Sequence, residues 1–261
     1  MSPPARAVVT ALVLALAAGA LVGLALGALG AGGGLLTVPA LVGLGVPPVA
    51  AGTAALVVVA VTAATALARH ARQGLVRWRT GLLFTAAGVP TALAGGALAA
   101  RLPDAVLTGA FAVIAAAAAP RMLLPGPAAG DVVRPPRPLH ALAAGAGLGA
   151  TTGVLGVGGG FLAVPALTAA VGLRIREAAG TSLLVITLNS LAALAVRAGP
   201  ADGLDPAVLA PFAGAAVLGA WDGGRLAAKV SGAVLRRVFA GVLLTAAALM
   251  AVETVALAIT S

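Results

Sequence analysis

The sequence predicts an all-α integral membrane protein, a polytopic bundle of transmembrane helices built from two homologous repeats. Three features predict this class: the composition, the lengths of the apolar segments and an internal repeat. Hydrophobic residues make up 61% of the 261 residues and charged residues 9%, whereas a soluble domain carries about 25% charged residues. With 16 basic and 7 acidic residues, the chain has too few charges to cover a soluble particle of this size.

The same composition excludes several classes of function. The formal net charge is +9, but the basic residues lie in short clusters between apolar runs, which is typical of membrane orientation and not of a nucleic-acid-binding face. Aromatic residues make up only 3%, which gives no support to an outer-membrane barrel with its aromatic girdles. With no Cys and two His, we expect no disulfide, no metal cluster and no cofactor.

Each half of the chain contains the same series of apolar segments. The segments are 7–29, 33–46, 49–68, 80–100 and 104–124 in the first half, and 139–157, 159–172, 178–196, 206–224 and 233–259 in the second. The long segments reach the roughly 20 residues that a membrane-spanning helix needs. The two short ones either re-enter the membrane or form discontinuous crossings, so the chain is predicted to have 8–10 transmembrane segments.

An internal repeat divides the chain into two halves. GALGAGGGLLTVPAL in the first half aligns with GVLGVGGGFLAVPAL in the second, so that Pro39 falls on Pro165. After a two-residue insertion, the AAGT that ends at Thr53 aligns with the AAGT that ends at Thr181. We therefore predict a transmembrane repeat over 1–124, a Pro/Gly-rich cytoplasmic linker over 125–138 and a second transmembrane repeat over 139–261.

The distribution of Lys and Arg favours inverted repeats. If the short segments cross the membrane, each half has five crossings, and thirteen basic residues lie inside against three outside. If they re-enter, the halves are parallel, and nine lie inside against seven outside. Only the first count obeys the positive-inside rule, so we expect the inverted symmetry that many secondary transporters share.

The glycine-rich runs at 30–34 and 156–160 predict a broken helix in each half. They do not fit a dinucleotide fingerprint, whose third glycine would fall on Leu35 and on Phe161. If helices restart at those two residues, each has a bare N-terminus whose dipole attracts an anion. We therefore interpret the pair as an anion site near the membrane midplane, and the alternative interpretation is a structural kink in each half.

Other glycines are spaced by four, at positions 19, 23 and 27, with counterparts at 145, 149 and 153. This spacing is typical of small-residue seams along which membrane helices pack closely.

A second candidate site lies in AAGTSLLVITLNS of the second half. Thr181 and Ser182 precede Asn189 and Ser190 by two turns in an otherwise apolar segment. An amide at membrane depth needs a polar partner, so these residues either contact a ligand or form an interhelical hydrogen bond. The first half has Val61-Thr62 at the positions of Asn189 and Ser190, which excludes a symmetric role.

Asp222 is a carboxylate within a spanning segment, and it has two interpretations. It could couple transport to protons, or it could simply pair with Arg225, three residues further along the same helix. The sequence contains no nucleophile–base pair and no P-loop, so an enzyme is not expected.

Both halves carry G-x-G-G-G-x-x-x-x-P-A-L followed by A-x-G-T, and in this the chain resembles the sulfite exporter TauE/SafE family of membrane permeases. The resemblance implies a duplicated helix bundle that moves sulfur-containing anions such as sulfite or organosulfonates across the cytoplasmic membrane. Members of that family are counted with about eight crossings, against the ten that inverted repeats need here. The residues that the resemblance places along the pathway are Gly32, Gly33, Gly34, Pro39, Thr53, Gly158, Gly159, Gly160, Pro165, Thr181, Ser182 and Asn189.

The expected function is therefore a secondary transporter, with export as the expected direction, whose partners are a small anion and the lipid bilayer. Two alternatives stay open: a channel-like pathway for anions or small solutes, and a structural membrane protein without a substrate. The sequence leaves homo-oligomerisation, the coupling ion and the exact substrate open.

Overall fold

A computed structural model of the chain describes residues 3–30, 33–46, 48–99, 138–155, 160–196 and 206–231, with isolated helical positions at 113–120 and 233–248. Among these residues every regular element is an α-helix, and none is a strand. The prediction of a helical protein is confirmed for this part of the chain. The predicted linker 125–138 and the predicted segments 104–124 and 233–259 lie almost wholly outside the described residues.

Eight helices follow one another along the described chain. They are α1 Pro3–Leu29, α2 Gly33–Gly43, α3 Pro48–Arg72, α4 Trp78–Ala99, α5 Pro138–Leu155, α6 Gly160–Ala169, α7 Ile175–Val196 and α8 Pro206–Lys229. Proline begins several of them, because its fixed φ suits the first helical position and its missing N–H is not needed there.

Three of these helices are long and apolar enough to cross a membrane, over Leu12–Leu29, Ala50–Arg72 and Ile175–Ala195. By contrast, α2 has 11 residues and α6 has 10, so each is only about 15–17 Å long at about 1.5 Å per residue. Neither short helix can cross the roughly 30 Å hydrocarbon core alone.

The turn after α1 depends on Gly30. Its φ is 66°, a left-handed conformation that glycine adopts without strain. The helix starts predicted at Leu35 and Phe161 are wrong, since α2 begins at Gly33 and α6 at Gly160. The physical reason in the first half is that the left-handed Gly30 already turns the chain, while Gly33 and Gly34 take helical angles at a cost of only about 1 kcal/mol each.

A glycine seam joins α1 to α8, as the spacing of four predicted. The close approaches are between Gly19 and the backbone of Phe212, between Gly23 and that of Ala216, and between Gly27 and that of Ala220. A Cβ on any of these glycines would lie less than 3.0 Å from a backbone atom of α8. Because the residue numbers rise together, α1 and α8 run parallel.

A second glycine seam joins α5 to α4. Gly145 lies against the backbone of Phe84, and Gly149 lies against that of Gly88. The numbers again rise together, so these two helices are also parallel. In each seam, one helix comes from the first half of the chain and the other from the second half.

Four helix ends meet at one end of the bundle, which we call the arginine-rich end. The ends of α3 and α8 and the starts of α4 and α7 lie there, and they carry Arg69, Arg72, Arg77, Arg79, Arg174, Arg176, Arg225 and Lys229. Hydrogen bonds show that these ends lie close together. The Arg77 backbone N–H donates to Thr181 Oγ1 at 3.0 Å, and Arg176 donates to the Val230 carbonyl at 2.7 Å. On the other side, Arg69 donates to the Trp221 carbonyl and lies 5.6 Å from the centre of its ring.

These contacts set the direction of each long helix. Because α8 runs towards the arginine-rich end and α1 is parallel to it, α1 also ends there, as does α3. The chain must therefore return to the opposite end between α1 and α3, and α2 lies in that stretch. In the second half, α5 leads away from the arginine-rich end and α7 starts at it, so α6 lies in the corresponding return.

The interior of the bundle is apolar and centred on α3 and α7. Buried side chains include Val59 and Ala63 of α3, Phe84 of α4 and Leu183 of α7, with Leu167 of α6 beside them. Large apolar side chains also cover the outside, where Leu21, Leu82, Leu191 and Leu218 are all more than half exposed. An apolar outer surface of this kind fits a lipid surrounding.

Candidate functional site

The end of α1 and the second turn of α7 meet in a direct polar contact. Ser182 Oγ donates a hydrogen bond to the carbonyl oxygen of Gly30 at 2.5 Å. The carbonyl oxygen of Ala179 also lies 2.8 Å from Ser182 Oγ. Ser182 has no exposed surface, so this buried hydroxyl satisfies the carbonyl of the residue that follows α1. A Cβ at Gly30 would collide with the backbone of Ala179. The glycine run of one half and the AAGTS motif of the other therefore pack together.

Thr181 links α7 to the start of α4. Its Oγ1 accepts the Arg77 backbone N–H, and one turn earlier Glu177 pairs with the Arg77 guanidinium at 2.7 Å. Gly180 lies between them, where a Cβ would be 2.7 Å from the Leu75 carbonyl oxygen. Small residues and hydroxyls at this point allow the α3–α4 connection to lie directly on α7. Thr181 and Ser182 thus both hold chain connections in place.

The predicted glycines and prolines fall at or near the starts of the two short helices. Gly33 and Gly34 begin α2, and Pro39 lies within it. Gly160 begins α6, and Pro165 is buried inside that helix. Gly32, Gly158 and Gly159 lie outside the described residues.

The remaining predicted polar residues lie along α3 and α7. Thr53 is half-buried near the start of α3, and Ser190 is buried on α7. Asn189 is partly buried, and its Oδ1 is enclosed and has no hydrogen-bond partner among the described residues. A buried amide oxygen without a donor is costly, which makes Asn189 suited to accept a hydrogen bond from a ligand or a water molecule.

A further polar position was missed by the sequence reasoning. Thr62 on α3 is 1% exposed, and within the described part of the chain its Oγ1 has no partner. It is the repeat counterpart of Ser190, so both central helices bury a hydroxyl at corresponding positions. The alignment contains a signal for this position, because Thr62 falls on Ser190 and both carry a hydroxyl, even though the neighbouring Val61 replaces the amide of Asn189.

Asp222 does not join these residues. Its side chain is 64% exposed, and it pairs with Arg225 at 3.3 Å on the surface of α8. The geometry therefore matches the ion-pair interpretation of this carboxylate.

A cavity of about 250 Å³ opens between α1, α3, α7 and α8 at the arginine-rich end. Its polar lining comes from His70 and Gln73 at the end of α3 and from Arg176 at the start of α7. Ala28, Leu75, Ala179, Gly224, Ala227 and Ala228 complete its walls. The sequence reasoning missed these residues, because Arg176 lies about a hundred positions along the chain from His70 and Gln73.

Within the described residues, no group of three or more His, Cys, Asp or Glu side chains could hold a metal ion. The chemistry that the described side chains offer is hydrogen bonding and positive charge. Groups of this kind form the strong hydrogen bonds that hold anions in proteins.

Comparison with known proteins gives one family and two relatives. A sequence profile of the family described as Sulfite exporter TauE/SafE matches residues 15–250. Two Xylella fastidiosa proteins, both described as "Probable membrane transporter protein", are each 34% identical. The match covers 185 residues in strain Temecula1 and 190 in strain 9a5c, in both cases 68% of this chain and 70% of the relative. No solved structure matches the chain.

Proposed function

Because the chain belongs to the Sulfite exporter TauE/SafE family of membrane transporters, we propose that it is a secondary transporter that exports a small sulfur-containing anion. The anion is sulfite, an organosulfonate or a related sulfur oxyanion, and it crosses the cytoplasmic membrane. The observation that carries this proposal is that helices of one half pack against helices of the other half, and that equivalent helices run in opposite directions. Oppositely directed repeats around a shared site are the scaffold of many secondary transporters.

The support for inverted repeats is the direction of equivalent helices. By repeat alignment, α1 corresponds to α5, α3 to α7 and α4 to α8. The first helix of each pair runs opposite to the second, relative to the arginine-rich end. The two seams are also equivalent, since Gly19 on Phe212 and Gly145 on Phe84 are the same contact with the halves exchanged. An axis in the membrane plane relates helices in this way, and an axis along its normal does not.

The charge at the two ends supports an orientation. Eight basic side chains gather at the arginine-rich end, so by the positive-inside rule this end faces the cytoplasm. Both termini then lie outside, and the two short helices serve as the middle parts of discontinuous crossings, giving the ten segments of the inverted arrangement.

For the substrate we propose a site between the starts of α2 and α6, where two helix dipoles present their positive ends to an anion. The lining is the set predicted from sequence, from Gly32–Gly34, Pro39 and Thr53 in the first half and from Gly158–Gly160 and Pro165 in the second. Asn189 joins it as a ligand contact, since its enclosed Oδ1 lacks a donor among the described groups. Thr181, Ser182 and Ser190 complete the set, the first two also holding the backbone connections.

The test is uptake into proteoliposomes of labelled sulfite, thiosulfate, a short alkanesulfonate and chloride. We expect saturable uptake of one sulfur anion, and we expect Asn189→Ala to lower the rate at subsaturating substrate about tenfold, because it removes a hydrogen-bonding group at the site. Thr65→Ala is the matched control, since that exposed hydroxyl bonds only to Val61 of its own helix among the described residues. Uptake that does not saturate would indicate a channel-like pathway, and no uptake of any of the four would refute the proposal.

Topology is tested separately, and the absence of Cys makes this simple because each introduced thiol is unique. We expect Arg72→Cys to react with a membrane-impermeant maleimide only after permeabilisation of cells, and Ala201→Cys to react in intact cells. Reaction of both from the same side would refute the inverted arrangement.

A further inference from the structure

We propose that the cavity at the arginine-rich end is a binding site for a small oxyanion, with Arg176 supplying the charge and Gln73 an amide N–H donor. This inference rests on the proposed function, because it makes the cavity the place where the anion is captured on the cytoplasmic side before it reaches the centre of the bundle. It adds a second site to the one proposed between the short helices.

The volume selects a small ligand. At about 250 Å³ the cavity falls below the 300–1,000 Å³ of pockets for drug-sized molecules, so it suits a sulfite, a short sulfonate or an ion of similar size. Two glycines leave the space around the imidazole. A Cβ at Gly224 would lie 3.5 Å from His70 Cε1, and a Cβ at Gly180 would lie 3.3 Å from His70 Cβ.

The charge of the lining selects an anion. Arg176 is the one ionised side chain among the described residues of the wall, and none of the wall residues is acidic. The nearby carboxylates are engaged elsewhere: Glu177 pairs with Arg77, and Asp222 pairs with Arg225. The start of α7, a helix of 22 residues, adds the positive end of its dipole at the same point.

Two polar side chains of the wall are held by hydrogen bonds. The Nδ1–H of His70 donates to the Ala66 carbonyl at 3.0 Å, so Nε2 of the neutral ring is an acceptor, and towards an oxyanion the imidazole forms part of the wall and is not a donor. Arg176 Nη2 donates to the carbonyls of Val230 and Ala228, at 2.7 and 3.4 Å. These two bonds engage one nitrogen of a guanidinium that carries five N–H donors, so donors remain for a ligand. Gln73 is exposed and presents an amide that can both donate and accept.

The cavity also breaks the symmetry of the two halves. The repeat positions that correspond to His70 and Gln73 are Ala198 and Ala201, and the position that corresponds to Arg176 is Pro48. A substrate arriving at the opposite end therefore does not meet an equivalent set of polar groups. The proposed capture site therefore belongs to one side of the membrane only, and the direction of net transport comes from the gradients that drive it.

The experiment is isothermal titration calorimetry, in which the purified full-length protein in detergent is titrated with sodium sulfite and with methanesulfonate and the Kd of each is measured. We expect Arg176→Gln to raise the Kd about tenfold or more, since bonds to a charged group are the strongest in such sites. Gln73→Ala, whose side chain is exposed, should raise the Kd about threefold. Arg79→Gln, an exposed arginine at the same end but outside the cavity, should change the Kd by less than about twofold.

A second pair of variants keeps every charge. Ala228→Phe adds a ring at the cavity wall and should abolish binding at this site, so that the titration keeps only the binding at the central site, whereas Ala86→Phe on the exposed face of α4 should change neither. Wild-type binding that the cavity variants leave unchanged, or that the control variants weaken equally, would overturn the inference. If proteoliposomes carry sulfite while the purified protein shows binding unaffected by these residues, the transport function stands and only the cavity assignment fails. If neither sulfite nor methanesulfonate is bound or carried, both proposals fail.

Discussion

The seam between α4 and α5 allows a test in which two neighbouring glycines should respond in opposite directions. Gly145 and Gly147 lie two positions apart on α5, so both are helical and both belong to the same apolar stretch. A Cβ at Gly145 would meet the backbone of Phe84, with its carbonyl carbon and Cα both at 2.8 Å. A Cβ at Gly147 would meet no atom of the described residues within 4 Å. Substitution by alanine therefore isolates helix packing from helix propensity.

The magnitude follows from the distances. Ordinary contact begins at 3.4 Å, so the carbonyl carbon and Cα of Phe84 alone require Gly145→Ala to separate the two helices by about 0.6 Å, and the nearer carbonyl oxygen requires more. Backbone atoms cannot rotate away as a side chain can. Overpacking of this kind costs about 1–3 kcal/mol, and alanine recovers about 0.5–1 kcal/mol of helix propensity. We expect a net destabilisation of about 1–2 kcal/mol. Gly147→Ala should gain the propensity alone, about 0.5–1 kcal/mol.

The assay is thermal unfolding of the purified protein in detergent, followed by the fraction that remains monodisperse on gel filtration. At about 2–4 °C per kcal/mol, Gly145→Ala should lower Tm by about 2–8 °C and Gly147→Ala should raise it by about 1–4 °C. Equal shifts in the two variants, or a higher Tm for Gly145→Ala, would refute the argument that backbone contact at Phe84 sets the spacing of these helices.

Three further predictions concern the contacts around the start of α7. Ser182→Ala should destabilise the protein by about 1–3 kcal/mol because it leaves the Gly30 carbonyl buried without a donor, while Thr65→Ala should cost less than about 0.5 kcal/mol; equal losses of Tm would contradict this. Gly30→Ala should cost at least about 1–3 kcal/mol, since the residue combines a φ of 66° with a backbone contact, and a variant as stable as the wild type would show that the turn is not required. A double-mutant cycle of Arg77→Gln and Glu177→Gln should give a coupling energy of about 0.5–1 kcal/mol that falls in 1 M salt, because Arg77 is half exposed; a coupling insensitive to salt would contradict that expectation.

Much of this architecture could be predicted from the sequence because it depends on composition and spacing. The scarcity of charge predicted a membrane protein, and the glycines four apart predicted close packing, which the contacts of Gly19 with Phe212 and Gly145 with Phe84 confirm. What the spacing could not specify was the partner. A stripe of glycines shows that a backbone approaches, and both partners proved to be helices of the opposite half.

The starts of the short helices and the cavity could not be predicted from the sequence, for different reasons. The run of three glycines suggested non-helical backbone, but Gly33 and Gly34 are helical, and glycine within a helix is merely unfavourable, not forbidden. The left-handed residue of the described turn is Gly30. The cavity depends on His70 and Arg176, which are distant in the chain and individually resemble the ordinary basic residues that flank a membrane helix. Only the position of α7 against α3 brings them to one space.

The packing of α1 from the first half against α8 from the second also has a consequence for the synthesis of the protein. The helix α1 ends at residue 29, and its seam partner α8 begins at residue 206. At about 5–20 residues per second, the ribosome needs about 10–35 s to synthesise the chain between them. During that interval α1 stands in the bilayer with its glycine face towards lipid. A bundle of this kind closes only when its last long helices arrive, so we expect premature termination before α8 to leave a chain that membrane quality control removes, not a stable half-protein.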